Sequence, residues 1–137
     1  PGPVFSVAFS PDGTCLANTT MAANELRLWE LPSGRPLAPL RGHLEGVCSV
    51  AFSPDGKTLA TGCTDRRVTL WNFATRQEMT KIRPGGAVPM VNFSPDGNWL
   101  TVGDLAGAGR KIRTLRAPSF AEIDLAEKSK MARTVRQ

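Results

Sequence analysis

Apolar and polar positions alternate in short runs along this chain, and the runs recur. Residues 4–17 read VFSVAFSPDGTCLA and residues 47–60 read VCSVAFSPDGKTLA, identical at eleven of fourteen positions. A third copy, MVNFSPDGNWLTVG, occupies residues 90–103. The shared phenylalanine falls at Phe9, Phe52 and Phe93, in steps of 43 and 41 residues, and Trp29 and Trp71 lie 42 apart. A period of this length marks stacked units, each leaving a face uncovered until a neighbour packs on it.

Each copy has one internal grammar. Val-x-Ser-Val-Ala-Phe alternates with period two, as a strand does. Ser-Pro-Asp-Gly follows; serine suits the first turn position, proline presets the second and glycine suits the fourth. Thr58–Cys63 predicts a second strand, Thr64-Asp65-Arg66 a tight polar turn, Val68–Phe73 a third strand and Gln77–Ile82 a fourth, more polar one. In the first copy the fourth strand is expected at Arg35–Leu40, where Pro36 and Pro39 confine it to a sheet edge. Four antiparallel strands per forty-odd residues describe one blade of a propeller.

The period, the Gly42-His43 pair, the Ser-Pro-Asp-Gly turns and the Leu-Trp strand ends resemble the WD-repeat β-propeller family over about residues 4–116. The chain departs from the family pattern at Trp29-Glu30 and Trp71-Asn72, at Leu115 where tryptophan is expected, and at Pro84-Gly85 in place of Gly-His. The resemblance implies an all-β chain. It would be a partial β-propeller of about three antiparallel blades (4–46, 47–87 and 88–116), the third without its outer strand. It also implies a hydrogen-bonded tetrad of His43, Thr61, Asp65 and Trp71. Only the second copy has all four residues; the aligned positions are Asn18, Ala23 and Trp29 in the first and Val102, Gly109 and Leu115 in the third. A tryptophan donates, a hydroxyl accepts and donates, a neutral histidine does both, and a carboxylate accepts, so a buried set of this kind is self-satisfying.

Charge is unevenly placed. Residues 1–109 carry nine basic and nine acidic side chains, while residues 110–137 carry eight and three, which accounts for the whole formal charge of +5. A basic tail is suited to an anionic surface, including nucleic acid, although no aromatic residue follows Phe120 to stack on bases. Ser119-Phe-Ala-Glu122 has capping-box form and predicts a short C-terminal helix over about residues 120–132, within a terminal segment 117–137. The Arg-Ala-Pro-Ser-Phe-Ala-Glu-Ile segment resembles the carboxy-terminal ends of bacterial WD-repeat proteins, which often carry a signalling domain upstream. Pro1 and the shortage of blades are expected of the terminal part of a longer propeller. The partners expected on this reading are the rest of that propeller or a second copy, together with proteins. No apolar run approaches the roughly 18 residues of a membrane helix.

The remaining candidates for chemistry are few. Cys15, Cys48 and Cys63 have no metal-ligand spacing, so no metal site or cofactor is expected, and a reducing, cytoplasmic setting suits them. Asp12, Asp55 and Asp96 each stand in an isolated Pro-Asp-Gly turn with too few oxygens for calcium. Gly103–Gly109 lacks the Gly-Lys-Ser/Thr ending of a phosphate loop and is expected to be an enlarged hairpin loop. Thr61, His43 and Asp65 form the inventory of a hydrolase triad, but no nucleophile elbow accompanies them. The reading that results is a non-catalytic protein-interaction scaffold. A partner-binding rim is expected where the loops of the second blade project Leu44, Glu45, Thr64 and Arg66.

Overall fold

The computed structural model describes residues 2–20, 24–88, 90–104 and 111–117. These form eleven strands in three antiparallel sheets. Blade 1 runs β1 (Val4–Phe9), β2 (Cys15–Thr20), β3 (Glu25–Glu30) and β4 (Leu40–Arg41). Blade 2 comprises β5 (Val47–Phe52), β6 (Thr58–Cys63), β7 (Val68–Asn72) and β8 (Gln77–Ile82). Blade 3 has three strands, β9 (Met90–Phe93), β10 (Trp99–Asp104) and β11 (Lys111–Arg116). Strand order in each sheet follows the chain.

The repeat in sequence is a repeat in bonds. In each Ser-Pro-Asp-Gly turn the serine hydroxyl donates to the aspartate carboxylate, at 2.6 Å from Ser10 to Asp12 and 2.6 Å from Ser53 to Asp55, and likewise from Ser94 to Asp96. The same carboxylate oxygen accepts the amide of the residue two places on, at 3.0 Å in all three copies. Beyond the third strands, the amides of Leu31, Phe73 and Ala117 donate to the carbonyls of Thr14, Lys57 and Asn98 at 2.8, 2.9 and 2.8 Å. β1 and β5 share a register shift at the same place, between Val4 and Ser6 and between Val47 and Ser49.

The first strands of successive blades lie against one another, and serine links them. The Val50 amide donates to Ser6 Oγ at 3.4 Å, and the Val91 amide to Ser49 Oγ at 3.1 Å. Two apolar cores result, one at each junction. Leu26, Leu28 and Leu40 of blade 1 meet Val50, Leu59 and Trp71 of blade 2. Val68 and Leu70 of blade 2 meet Val91, Leu100 and Val102 of blade 3, with Val88 between the two sheets.

Two expectations are corrected. The described residues contain strands and turns and no helix, so the fold class is three antiparallel sheets of three or four strands, without the C-terminal helix that was expected. That helix was read from local sequence patterning, and its position, about residues 120–132, lies outside the described residues. Most of the Gly103–Gly109 loop also lies outside them; Gly103 itself belongs to β10. Second, Arg35–Leu40 is not a continuous strand. Pro36 makes an isolated bridge to Trp29, and regular pairing with β3 is confined to Leu40–Arg41. Two prolines without N–H donors interrupt the ladder. Gln77–Ile82, with no proline, pairs with β7 from end to end apart from a register shift at Met79. Among the described residues no helix is long and apolar enough to cross a membrane.

Candidate functional site

A buried polar cluster lies inside blade 2. Thr61 sits in the middle of β6, fully buried, and Trp71 lies on the adjacent strand β7. Its indole Nε1 donates to Thr61 Oγ1 at 2.9 Å. His43, also buried, enters from the loop before β5 and places Nε2 2.6 Å from the same oxygen. Thr61 Oγ1 further lies 3.3 Å from the Thr69 carbonyl, to which it can donate. The His43 and Trp71 rings are 5.7 Å apart and tilted by 58°. The preceding glycine makes this approach possible. Gly42 has φ 151°, and a Cβ there would stand 3.1 Å from Trp71 Cη2.

The fourth expected member joins less completely. Asp65 Oδ1 accepts the Arg67 amide at 3.0 Å and so closes the β6–β7 turn. Its Oδ2 and His43 Nδ1 are both buried, and neither has a hydrogen-bond partner. Burial holds the His43 pKa below its ordinary value, and the Asp65 charge pulls it partly back. His43 is therefore neutral near pH 7.

Cys63 adds a neighbour that sequence spacing did not suggest. Ligand-type atoms of His43, Cys63 and Asp65 all lie within 4.8 Å of one another, the one such group among the described residues that could hold a metal ion. The thiol points to the Glu45 and Gly46 carbonyls at 3.3 and 3.2 Å. Burial pushes its pKa up to about 11. A thiol that keeps its proton is a poor metal ligand.

Blade 1 retains part of the same arrangement. Trp29 Nε1 donates to Asn18 Oδ1 at 2.6 Å, so an amide oxygen stands in for the threonine hydroxyl.

The four rim residues gather at one end of blade 2. Thr64 Oγ1 donates to Glu45 Oε2 at 2.9 Å, joining the loop before β5 to the β6–β7 turn. Leu44 is two-thirds exposed, and its carbonyl accepts from Asn24 Nδ2 of blade 1 at 3.0 Å. Arg66 is exposed at the tip of the turn, with φ 68°. The basic segment from residue 110 onward lies, apart from 111–117, outside the described residues.

A family model described as WD domain, G-beta repeat matches residues 1–30 and 34–72, half of the chain. The chain belongs to the WD-repeat family. It is 32% identical over 92 residues to the intraflagellar transport protein 122 homolog of Mus musculus, covering 67% of this chain and 8% of that protein. Mouse WD repeat-containing protein 90 is 35% identical over 95 residues, 69% of this chain and 5% of its own length. Eukaryotic translation initiation factor 3 subunit I of Aspergillus terreus is 40% identical over 95 residues, 69% of this chain and 27% of that one. This WD-repeat chain thus spans a small part of each relative. Among solved structures, Kuenenia stuttgartiensis hydrazine synthase superposes with a TM-score of 0.77 at 21% identity, covering 85% of this chain and 33% of that one. At that identity the likeness concerns the fold.

Proposed function

We propose that this WD-repeat chain is a non-catalytic protein-interaction scaffold, working through loops held on a rigid blade frame. The observation that carries the reading is the burial of Thr61 and His43, the one pair among the described residues that resembles a nucleophile and its base. A hydroxyl already engaged by an indole, an imidazole and a carbonyl, with no surface of its own, has no access to a substrate. His43, Thr61, Trp71 and Asp65 are then structural: they tie β6, β7 and the loop before β5 into one unit. One relative is named as a subunit of a larger factor, which agrees with a role in assembly. Three free cysteines, two of them buried, suit the reducing cytoplasm.

The partner surface we propose is the rim formed by Leu44, Glu45, Thr64 and Arg66. An exposed leucine beside charges of both signs, on two loops tied to each other, has the mixed character of a protein contact. The test is affinity capture with this chain as bait, comparing wild type with the Glu45→Ala/Arg66→Ala double variant. Loss of captured partners is expected. An unchanged set would remove the rim, and hydrolytic turnover that depends on His43 would overturn the non-catalytic reading.

A further inference from the structure

At the β7–β8 turn of blade 2 stands a residue that the turn's own conformation disfavours. The corresponding turn of blade 1 has Gly34 at φ 70°; here the position is Arg76, at φ 63°. Positive φ is uncommon outside glycine, and where it persists it often marks a functional position. The guanidinium carbon of Arg76 lies 4.1 Å from the centre of the Phe73 ring. Its Nη1 is buried and has no hydrogen-bond partner, and among the described residues no carboxylate is paired with it. A buried guanidinium N–H lacking an acceptor is costly, even where the rest of the side chain is half-buried.

The turn closes one side of a cavity of about 530 Å³ between blades 1 and 2. Cys15, Leu31, Pro32, Leu37, Phe73 and Arg76 form its mainly apolar wall. Glu30 also borders it, but its carboxylate is already occupied by Arg35 at 2.9 and 3.1 Å and by Ser33 at 2.8 Å. The cavity therefore offers apolar walls and one uncompensated cation.

We propose that this inter-blade pocket binds an Asp or Glu side chain of an extended partner segment, its carboxylate on the Arg76 guanidinium and an apolar neighbour against Leu31, Leu37 and Phe73. A planar guanidinium matches a carboxylate with two parallel bonds. A single cation beside Glu30 is a poor match for a doubly charged phosphate. The proposal rests on the protein-interaction reading but uses a surface separate from the rim.

The test titrates acetyl-Leu-Asp-Leu-amide into the whole chain, following the Arg76 Nε–H and Phe73 ring resonances by NMR. Saturable shifts of both are expected. Acetyl-Leu-Asn-Leu-amide should bind about ten-fold or more weakly, because it lacks the charge. Arg76→Gln should abolish binding. Arg76→Gly should also abolish it while leaving the thermal midpoint unchanged or higher, since glycine suits the turn. Equal binding of the Asn peptide, equal competition by inorganic phosphate, or a large fall in midpoint for Arg76→Gly would each overturn the proposal. If wild type ignores the Asp peptide while partner capture still depends on the rim, the pocket is refuted and the scaffold reading stands.

Discussion

At the scale of single residues, one neutral histidine links the strands of blade 2 to the loop that precedes them. His43 is buried against Thr61 and Trp71, and desolvation depresses its pKa in the folded chain. The unfolded chain takes up a proton near the ordinary value of about 6.5, while the folded chain resists until a lower pH. The stability contributed by this difference is thus present above about pH 6.5 and is lost as pH falls through the folded-state pKa. Equilibrium unfolding should show this decline in wild type and its absence in His43→Ala. At neutral pH that variant should lose about 1–3 kcal/mol, because it removes the bond to Thr61 Oγ1 and leaves a cavity beside Trp71. Equal pH profiles would contradict the buried, neutral assignment. The meeting of His43, Thr61 and Trp71 was legible from the family resemblance. The incomplete approach of Asp65, the substitute acceptor Asn18 and the nearness of Cys63 were not. Each depends on side-chain placement between strands, which spacing along the chain does not encode. Arg76 had a faint signal in the alignment of its turn with Gly34, but its missing partner is visible only in three dimensions.

At the scale of elements, local chemistry carried most of the information. The three Ser-Pro-Asp-Gly turns share their closures because the same serine and aspartate side chains accept the same backbone amides in each copy. Thr58–Cys63 and Gln77–Ile82 were legible to the residue, as short runs bounded by turn signals at fixed places in the repeat. Arg35–Leu40 was not, since its prolines break the ladder that its position in the repeat suggested. Blade-to-blade packing was also beyond local reading. Gly62 in β6 shows what it demands. A Cβ there would lie 2.6 Å from the Val88 carbonyl oxygen and 2.8 Å from Val88 Cγ1. Val88 in turn donates its amide to the Cys63 carbonyl at 3.1 Å. The backbone cannot yield cheaply, so Gly62→Ala should cost about 1–3 kcal/mol or more by overpacking the junction of blades 2 and 3. Denaturant unfolding would measure it, and wild-type stability would show that the junction is looser than described.

At the scale of the whole molecule, the repeat identifies which surfaces are unpartnered in this chain. Val4 and Val7 are 57% and 56% exposed, whereas their counterparts Val47 and Val50 are at 0% and 4%, with Val50 in the core shared with blade 1. At the other end Ile112 is 73% exposed, while Val68 and Leu26 at the equivalent positions are at 0%. Stacked blades bury such faces against one another, so the isolated chain should self-associate. Sedimentation velocity should show a mean coefficient rising with concentration, and Val7→Lys should reduce the rise. One sharp monomer at every concentration would count against open faces.

The most direct measurement of the central claim, a rigid blade frame that binds proteins at its rim, is hydrogen exchange of the chain with and without a captured partner. β6 and β7 carry the buried hub and should exchange slowly in both states. Segments 42–46 and 64–67 should exchange faster when free and become protected on binding. Rim segments that exchange identically with and without the partner, or β6 and β7 amides that exchange as fast as the loops, would contradict the account.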